Sequence, residues 1–318
     1  MPIARIVADR DVSGILVLNK PAGLSSRQAL DRVVPLFPRV KVGHAGTLDP
    51  LATGVLVVCV GQATRLIQYI QRMAKQYLAT LRLGIRSDTH DLEGTIKPAA
   101  DAAERPPPVG RDTLERALAR FRGELLQVPP QHSAVHVAGR RAYELARAGR
   151  SVELPPRAVR IERLECTRFE FPDAGLRIEC SSGTYVRSLV RDIGEEIGCG
   201  AVMTGLVRER IGVFCLDQAL NPDELSRSTA VESLRPTSDA LRELPTLTIP
   251  AERMDQVRHG CVIETRYFDR SCPGGIEFAL FDDRGELCAV ASADASGATL
   301  HPHTVLMAER PSLGERSA

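Results

Sequence analysis

Residues 54–60, GVLVVCV, follow one glycine with six apolar residues, four of them valine. So short a run, bounded by glycine and rich in β-branched side chains, predicts a buried strand. Residues 14–19, GILVLN, have the same character. Between them Ser25 or Ser26 can cap a helix that runs through about Phe37 and is closed by Pro38. Buried strands with helices between them call for a layered α and β architecture.

Further along, Leu66, Ile67, Ile70 and Met73 fall at helical spacing, and residues 75–84 then alternate, with Tyr77, Ala79, Leu81 and Leu83 on one side. Residues 98–111, PAADAAERPPPVGR, predict an exposed connection. Asp112 is expected to open the next helix, with Glu115 as its capping-box partner and Leu114, Ala117, Leu118 and Phe121 as the buried stripe. A strand over 175–180 and a Ser-Ser-Gly turn lead into a helix whose Val186, Leu189, Val190, Ile193 and Ile197 form one apolar face, with Arg187 and Arg191 off it. Residues 247–307 carry several short strand patterns around glycine turns, as in a small β-barrel-like module.

At 318 residues the chain has room for roughly two domains. No apolar stretch approaches the ~18 residues of a membrane span, and the N-terminus MPIARIVADRD carries two acids where a signal peptide needs an apolar run, so a cytoplasmic protein is expected. Cys59, Cys166, Cys180, Cys199, Cys215, Cys261, Cys272 and Cys288 are scattered without a Cys-x-x-Cys, and read as reduced, mostly core thiols. His301 and His303 are a close pair without a third ligand nearby, which reads as a solvated loop; no metal is expected.

The formal net charge of +1 conceals an asymmetry: residues 251–318 hold seven Arg against eleven acids, so the larger N-terminal part is basic. Residues 136–160 alone carry six Arg and two Glu, either a solvated helix face or a contact surface for a nucleic-acid backbone.

Within residues 32–87 there are eight basic residues and one acid, Asp49, in GHAGTLDPLATGVLVV. Pro50 restricts Asp49 to extended backbone and is preset for a first helical turn, so Asp49 can be a helix N-cap. Glycines 43, 46 and 54, a histidine five residues upstream and the buried strand that follows also suit a functional carboxylate. A carboxylate in an apolar pocket needs a cation, and Arg187 at the start of its helix is a candidate.

NKPAGLSS (19–26), KVGHAGTLDPLATGVLVVCVGQATRL (41–66), KQYLATLRLGIRSDTHDLEG (75–94), SSGTYVRSLVRDIGEEIGCGA (181–201) and LVRERIGVF (206–214) occur in this order and spacing. Together they closely resemble the bacterial tRNA pseudouridine-55 synthase family, the TruB type, over residues 13 to about 215, with a weaker echo in VRHG (257–260) of its C-terminal domain. The resemblance implies an α+β pseudouridine synthase fold with a mixed, largely antiparallel central sheet flanked by helices. With the boundary that the pattern of elements sets, the chain is expected to divide into a catalytic domain over 1–245 with an RNA-binding insertion at about 125–152, a β-rich PUA-like RNA-binding domain over 246–310 and a tail over 311–318.

The same resemblance implies roles. Asp49 is the catalytic carboxylate; Tyr77 stacks on the flipped uracil and acts as a late base; Arg187 pairs with Asp49; Tyr185 and Leu206 line the base pocket; His44 holds the flipped nucleotide; Lys20 is a structural or pocket-wall residue. Arg140, Arg141 and Arg147 are expected on the RNA backbone. The activity implied is isomerisation of uridine 55 in the TΨC loop to pseudouridine, which uses no cofactor and no metal. The partner is the T-arm of tRNA, met by a monomer that needs no membrane and no obligate protein partner.

The chain departs from the family pattern at His132 and His136, where Tyr and Lys are usual, and at Val202, where His is usual. These positions bear on RNA affinity more than on chemistry. Two other readings fit the residues: an RNA chaperone that opens the tRNA elbow with Asp49 as a cap, and the same chemistry directed at ribosomal RNA.

Overall fold

The two apolar runs pair with each other. Strand β1 (Gly14–Lys20) lies antiparallel to β3 (Thr53–Val60), with Ile15 opposite Cys59 and Val17 opposite Val57, and β2 (Val42–His44) adds to β3. Between β1 and β2, Ser25 caps α1 (Ser26–Val33) in a capping box with Gln28, and the helix tightens into a 3-10 turn over Val34–Leu36. The computed structural model describes residues 12–99, 109–131, 136–137, 140–141 and 154–306.

A short α2 (Ile67–Arg72) leads to β4 (Lys75–Leu83), whose Tyr77, Ala79, Leu81 and Leu83 are buried as alternation requires. A small hairpin of β5 (Ile85–Ser87) and β6 (Ile96–Pro98) precedes α3 (Arg111–Ala119). That helix begins two residues earlier than expected: Gly110, not Asp112, is its N-cap, no side chain caps it, and Asp112 sits in the first turn. Strand β7 (Gly123–Gln127) follows, then the paired β8 (His136–Val137) and β9 (Arg140–Arg141). Residues 125–127, at the start of the expected insertion, thus belong to the main sheet, while Arg147, His132 and the 311–318 tail lie outside the described residues.

Strands β10 (Arg157–Glu170) and β11 (Asp173–Cys180) form a long antiparallel pair, α4 (Val186–Ile197) packs its apolar face on the sheet, and β12 (Ala201–Ile211) and β13 (Phe214–Cys215) complete it. The strand order is β1-β3-β12-β4-β11-β10-β7, with β2 on β3 and β13 on β12. Only the β3–β12 contact is parallel, so the sheet is mixed and largely antiparallel, as expected.

After α5 (Arg227–Glu232), β14 (Thr246–Thr248), α6 (Met254–Arg258), β15 (Ile263–Glu264), β16 (Glu277–Phe281), β17 (Leu287–Ala293) and β18 (Thr299–Val305) build a second, five-stranded sheet. His301 and His303 are on β18 and not in a loop: their alternation with buried Leu300, Pro302 and Thr304 places them on its outer face, and His303 Nε2 is 3.3 Å from Glu277.

The two sheets share a core. Ala279 and Val290 of the second sheet belong to the same apolar cluster as Ile15, Val17, Val55 and Val57. Glu277 also accepts a hydrogen bond from the Tyr69 hydroxyl at 2.9 Å and pairs with Arg72 at 3.2 Å. No helix among the described residues is long and apolar enough to cross a membrane.

Candidate active site

Asp49 lies in the loop between β2 and β3, and the residues around it are pinned from several sides. Ser26, fully buried at the start of α1, donates its hydroxyl to the Leu48 carbonyl at 3.0 Å and accepts the Leu48 N–H at 2.7 Å. The Gly23 N–H and the Lys20 ammonium both reach the Pro50 carbonyl, at 2.8 and 3.3 Å. Lys20, at the end of β1, also donates to the carbonyls of Pro21 and Leu24, at 2.9 and 2.6 Å. Burial lowers its pKa to about 8, against the pull of the Asp49 charge.

Asp49 does not start a helix; Ala52 N–H returns to its carbonyl at 3.1 Å and closes a turn. Its carboxylate faces Arg187 instead. Arg187 Nε is 2.9 Å from one Asp49 oxygen and Nη2 is 3.1 Å from the other, a two-pronged pair. The third nitrogen, Nη1, is 3.2 Å from Asp91 and donates to the Thr89 carbonyl at 3.1 Å. Asp91 is fully buried and also accepts from the Thr89 hydroxyl at 2.5 Å and the Glu93 N–H at 3.0 Å.

One guanidinium therefore serves two carboxylates. Burial pushes the Asp49 carboxyl above its ordinary range; the Arg187 charge opposes this, while Asp91 reinforces it. The Asp49 side chain remains one-third exposed, so its solvent face is open for a ligand.

Helix α4 holds Arg187 in place through its first turn. Gln127, buried at the end of β7, accepts the Tyr185 N–H at 2.7 Å and donates to the Tyr185 carbonyl at 3.0 Å, and the Ser188 hydroxyl donates to the Val128 carbonyl at 2.8 Å. Tyr185, so clamped, is the N-cap residue of α4, two residues before Arg187.

Tyr77 and Leu206 come from neighbouring strands, β4 and β12, and are buried in one apolar cluster with Leu48 and Ala52, which flank Asp49. The structure therefore brings Asp49, Tyr77, Arg187 and Leu206 together, with Lys20 beneath the Asp49 loop. His44, half-buried, is on β2 opposite Val58. Arg140 and Arg141 form β9.

Two contributors escaped the sequence reading. Asp91 lies inside a motif that drew attention for other residues, and Gln127 lies in none. Their signal was a charged or amide side chain in a segment otherwise destined for the interior. Among the described residues no group of three or more His, Cys, Asp or Glu side chains converges on a metal position.

Residues 35–186 match the family model for the TruB family pseudouridylate synthase N-terminal domain, and 187–253 match that for the tRNA pseudouridylate synthase B C-terminal domain. A protein of Pseudomonas aeruginosa named tRNA pseudouridine synthase B is 45% identical over 258 residues, covering 79% of this chain and 83% of the relative. One of the same name from Cupriavidus pinatubonensis is 44% identical over 267 residues, covering 82% and 83%.

Among solved structures, a Cbf5-Nop10-Gar1 complex superposes with a TM-score of 0.72 at 24% identity, covering 92% of this chain and 85% of that one. An H/ACA RNP bound to a substrate RNA containing 2′-deoxyuridine gives 0.71 at 22%, covering 94% and 86%. At that identity the structural likeness speaks for the fold alone. Joined to the sequence identity over four-fifths of the chain, it leaves one conclusion: this chain belongs to the TruB family of pseudouridylate synthases.

Proposed function

We propose that the chain converts uridine 55 of the tRNA TΨC loop to pseudouridine, with Asp49 as its catalytic carboxylate. The observation that carries this reading is the forked Arg187–Asp49 pair beside Tyr77 and Leu206: an acid held by a buried cation, next to buried apolar and aromatic side chains. The relatives' shared name supports tRNA as the substrate.

The reaction breaks the C1′–N1 bond, turns the uracil and forms C1′–C5; the C5 proton then leaves and N1 gains a proton, so the product is an isomer of the substrate. No electrons enter or depart. An ionised Asp49 either attacks C1′ or assists glycal formation, and Arg187 holds the carboxylate oriented. The Tyr77 ring stacks on the extruded base, which offsets part of the few kcal/mol of unstacking, and its hydroxyl oxygen takes the C5 proton. Leu206 and Tyr185 bound the base, and His44 holds the flipped nucleotide. Arginines 140, 141 and 147 contact phosphates, and the PUA-like module over 246–310 adds RNA contacts; the protein works as a monomer.

The test uses tRNA transcript tritiated at uridine C5. Wild type releases label to solvent, and sequencing of the product places pseudouridine at position 55; Asp49→Asn binds the tRNA and releases no label. Release by Asp49→Asn at the wild-type rate removes the catalytic role. Tight binding by wild type with no release leaves an RNA-binding protein only.

A further inference from the structure

Arg208 is a buried cation that the reaction described above does not use. It lies on β12, between β3 and β4, opposite Gly54 on one side and Tyr77 on the other. The residue is 2% exposed, and no carboxylate lies within ion-pair distance of it among the described residues.

Its nitrogens go to main-chain oxygens of a single segment. Nε donates to the Val55 carbonyl at 2.8 Å, Nη1 to Thr47 at 3.3 Å and Nη2 to Gly46 at 3.2 Å. These acceptors bracket Asp49 in sequence. The guanidinium is on the strand position opposite Tyr77, near enough for its charge to act on the tyrosine hydroxyl.

Burying an unpaired guanidinium is costly, and an apolar side chain of similar length commonly serves a fold as well or better. Gly54 has φ +99°, and a Cβ there would overlap the Arg208 carbonyl oxygen, so β3 and β12 approach each other closely at this pair. A fork of fixed donors, rather than a flexible ammonium, can hold three carbonyls at once.

We infer that Arg208 is a positioning residue of the isomerisation, tying the loop that carries Asp49 to the strand that presents Tyr77 and setting a positive charge against the tyrosine oxygen. Its grip on Gly46, Thr47 and Val55 fixes where the carboxylate stands relative to the ring. Its charge favours the phenolate, the form that can accept the C5 proton, against burial, which is the larger effect and holds the Tyr77 hydroxyl above its ordinary range. The inference rests on the roles proposed for Asp49 and Tyr77.

The experiment compares full-length wild type, Arg208→Lys and Arg208→Met, each with Tyr77 and with Tyr77→Phe. It reads tRNA affinity, urea midpoint and the single-turnover rate of tritium release. Both variants are expected to bind tRNA within about threefold of wild type, while misplacement slows release by about 100-fold in Arg208→Met and about 10-fold in Arg208→Lys. In the Tyr77→Phe background the Arg208→Met loss should shrink to about tenfold or less, because part of it acts through the hydroxyl.

Wild-type rates in Arg208→Met, losses that follow the urea midpoints, or the same loss in both backgrounds would each overturn the inference. Failure of both variants to fold assigns Arg208 to stability and overturns it too. Asp49→Asn is run alongside. If it is inactive while the Arg208 variants are normal, this inference alone falls; if it is active, the reading of the site falls.

Discussion

Arg187 and Asp91 form an ion pair at 3.2 Å, with side-chain exposures of 7% and 1%, behind the partly exposed carboxylate of Asp49. Asp91 is tethered in turn by the Thr89 hydroxyl and the Glu93 N–H. The rear carboxylate thus fixes the rotation of the guanidinium that the front one uses.

Replacing Asp91 by Asn keeps an oxygen for Thr89 and Glu93 but removes the charge that aims Arg187. Single-turnover tritium release should fall by about 10- to 100-fold, the size of loss that small misplacements bring. Affinity for tRNA, measured by filter binding, should stay near wild type. An unchanged rate would show that Asp49 alone orients Arg187.

The Asp49 carboxyl is held above its ordinary 3.8 by burial, so the acid limb of the single-turnover rate should lie above that value. Arg187 lowers it and Asp91 raises it. Arg187→Gln should therefore move the limb to higher pH, and Asp91→Asn to lower pH. Stability runs the other way from activity. With the folded pKa raised, the folded state binds the proton more tightly, so this group's contribution to stability falls as pH rises from 3.8 through the folded value. Urea titrations of wild type and Asp49→Asn across that window check the sign.

Gly54→Ala and Gly183→Ala should differ sharply although both glycines have positive φ, +99° and +82°. At Gly183 nothing stands within reach of an added Cβ, and the cost should be about 1–2 kcal/mol. At Gly54 the methyl meets the β12 backbone at Arg208, and a loss above about 3 kcal/mol, or no folded protein, is expected. Equal urea midpoints would mean that β12 yields.

Arg140, Arg141 and Arg147 should show themselves in salt. Each phosphate contact removed by Arg→Ala should flatten the dependence of log affinity on log salt by about 0.7–0.9. The triple variant measured in KCl series is the check; an unaltered slope takes this segment off the RNA.

Periodicity made β1, β3, β4 and α4 legible, because each buries a regular face. Asp49 stood out as the solitary acid of a basic window, and the need for a cation pointed to Arg187. Strand β10 was passed over: its inward Val159, Ile161, Leu164 and Cys166 alternate with Arg and Glu, and bulges interrupt the period. Asp91 and Arg208 were unreadable for another reason. Their meaning comes from register, from Arg208 standing opposite Tyr77 and from the loop after β5 folding back on α4, and spacing along a chain does not encode which strand lies beside which.

The apolar cluster that runs from β1 and β3 into β16 and β17 makes the C-terminal module structural property of the enzyme half. Cutting the chain at residue 245 would not liberate a smaller working enzyme; it would leave Ile15, Val17 and their neighbours wet. Deletion is therefore the wrong instrument for asking what that module gives to RNA recognition, and substitutions on its outer face are the right one.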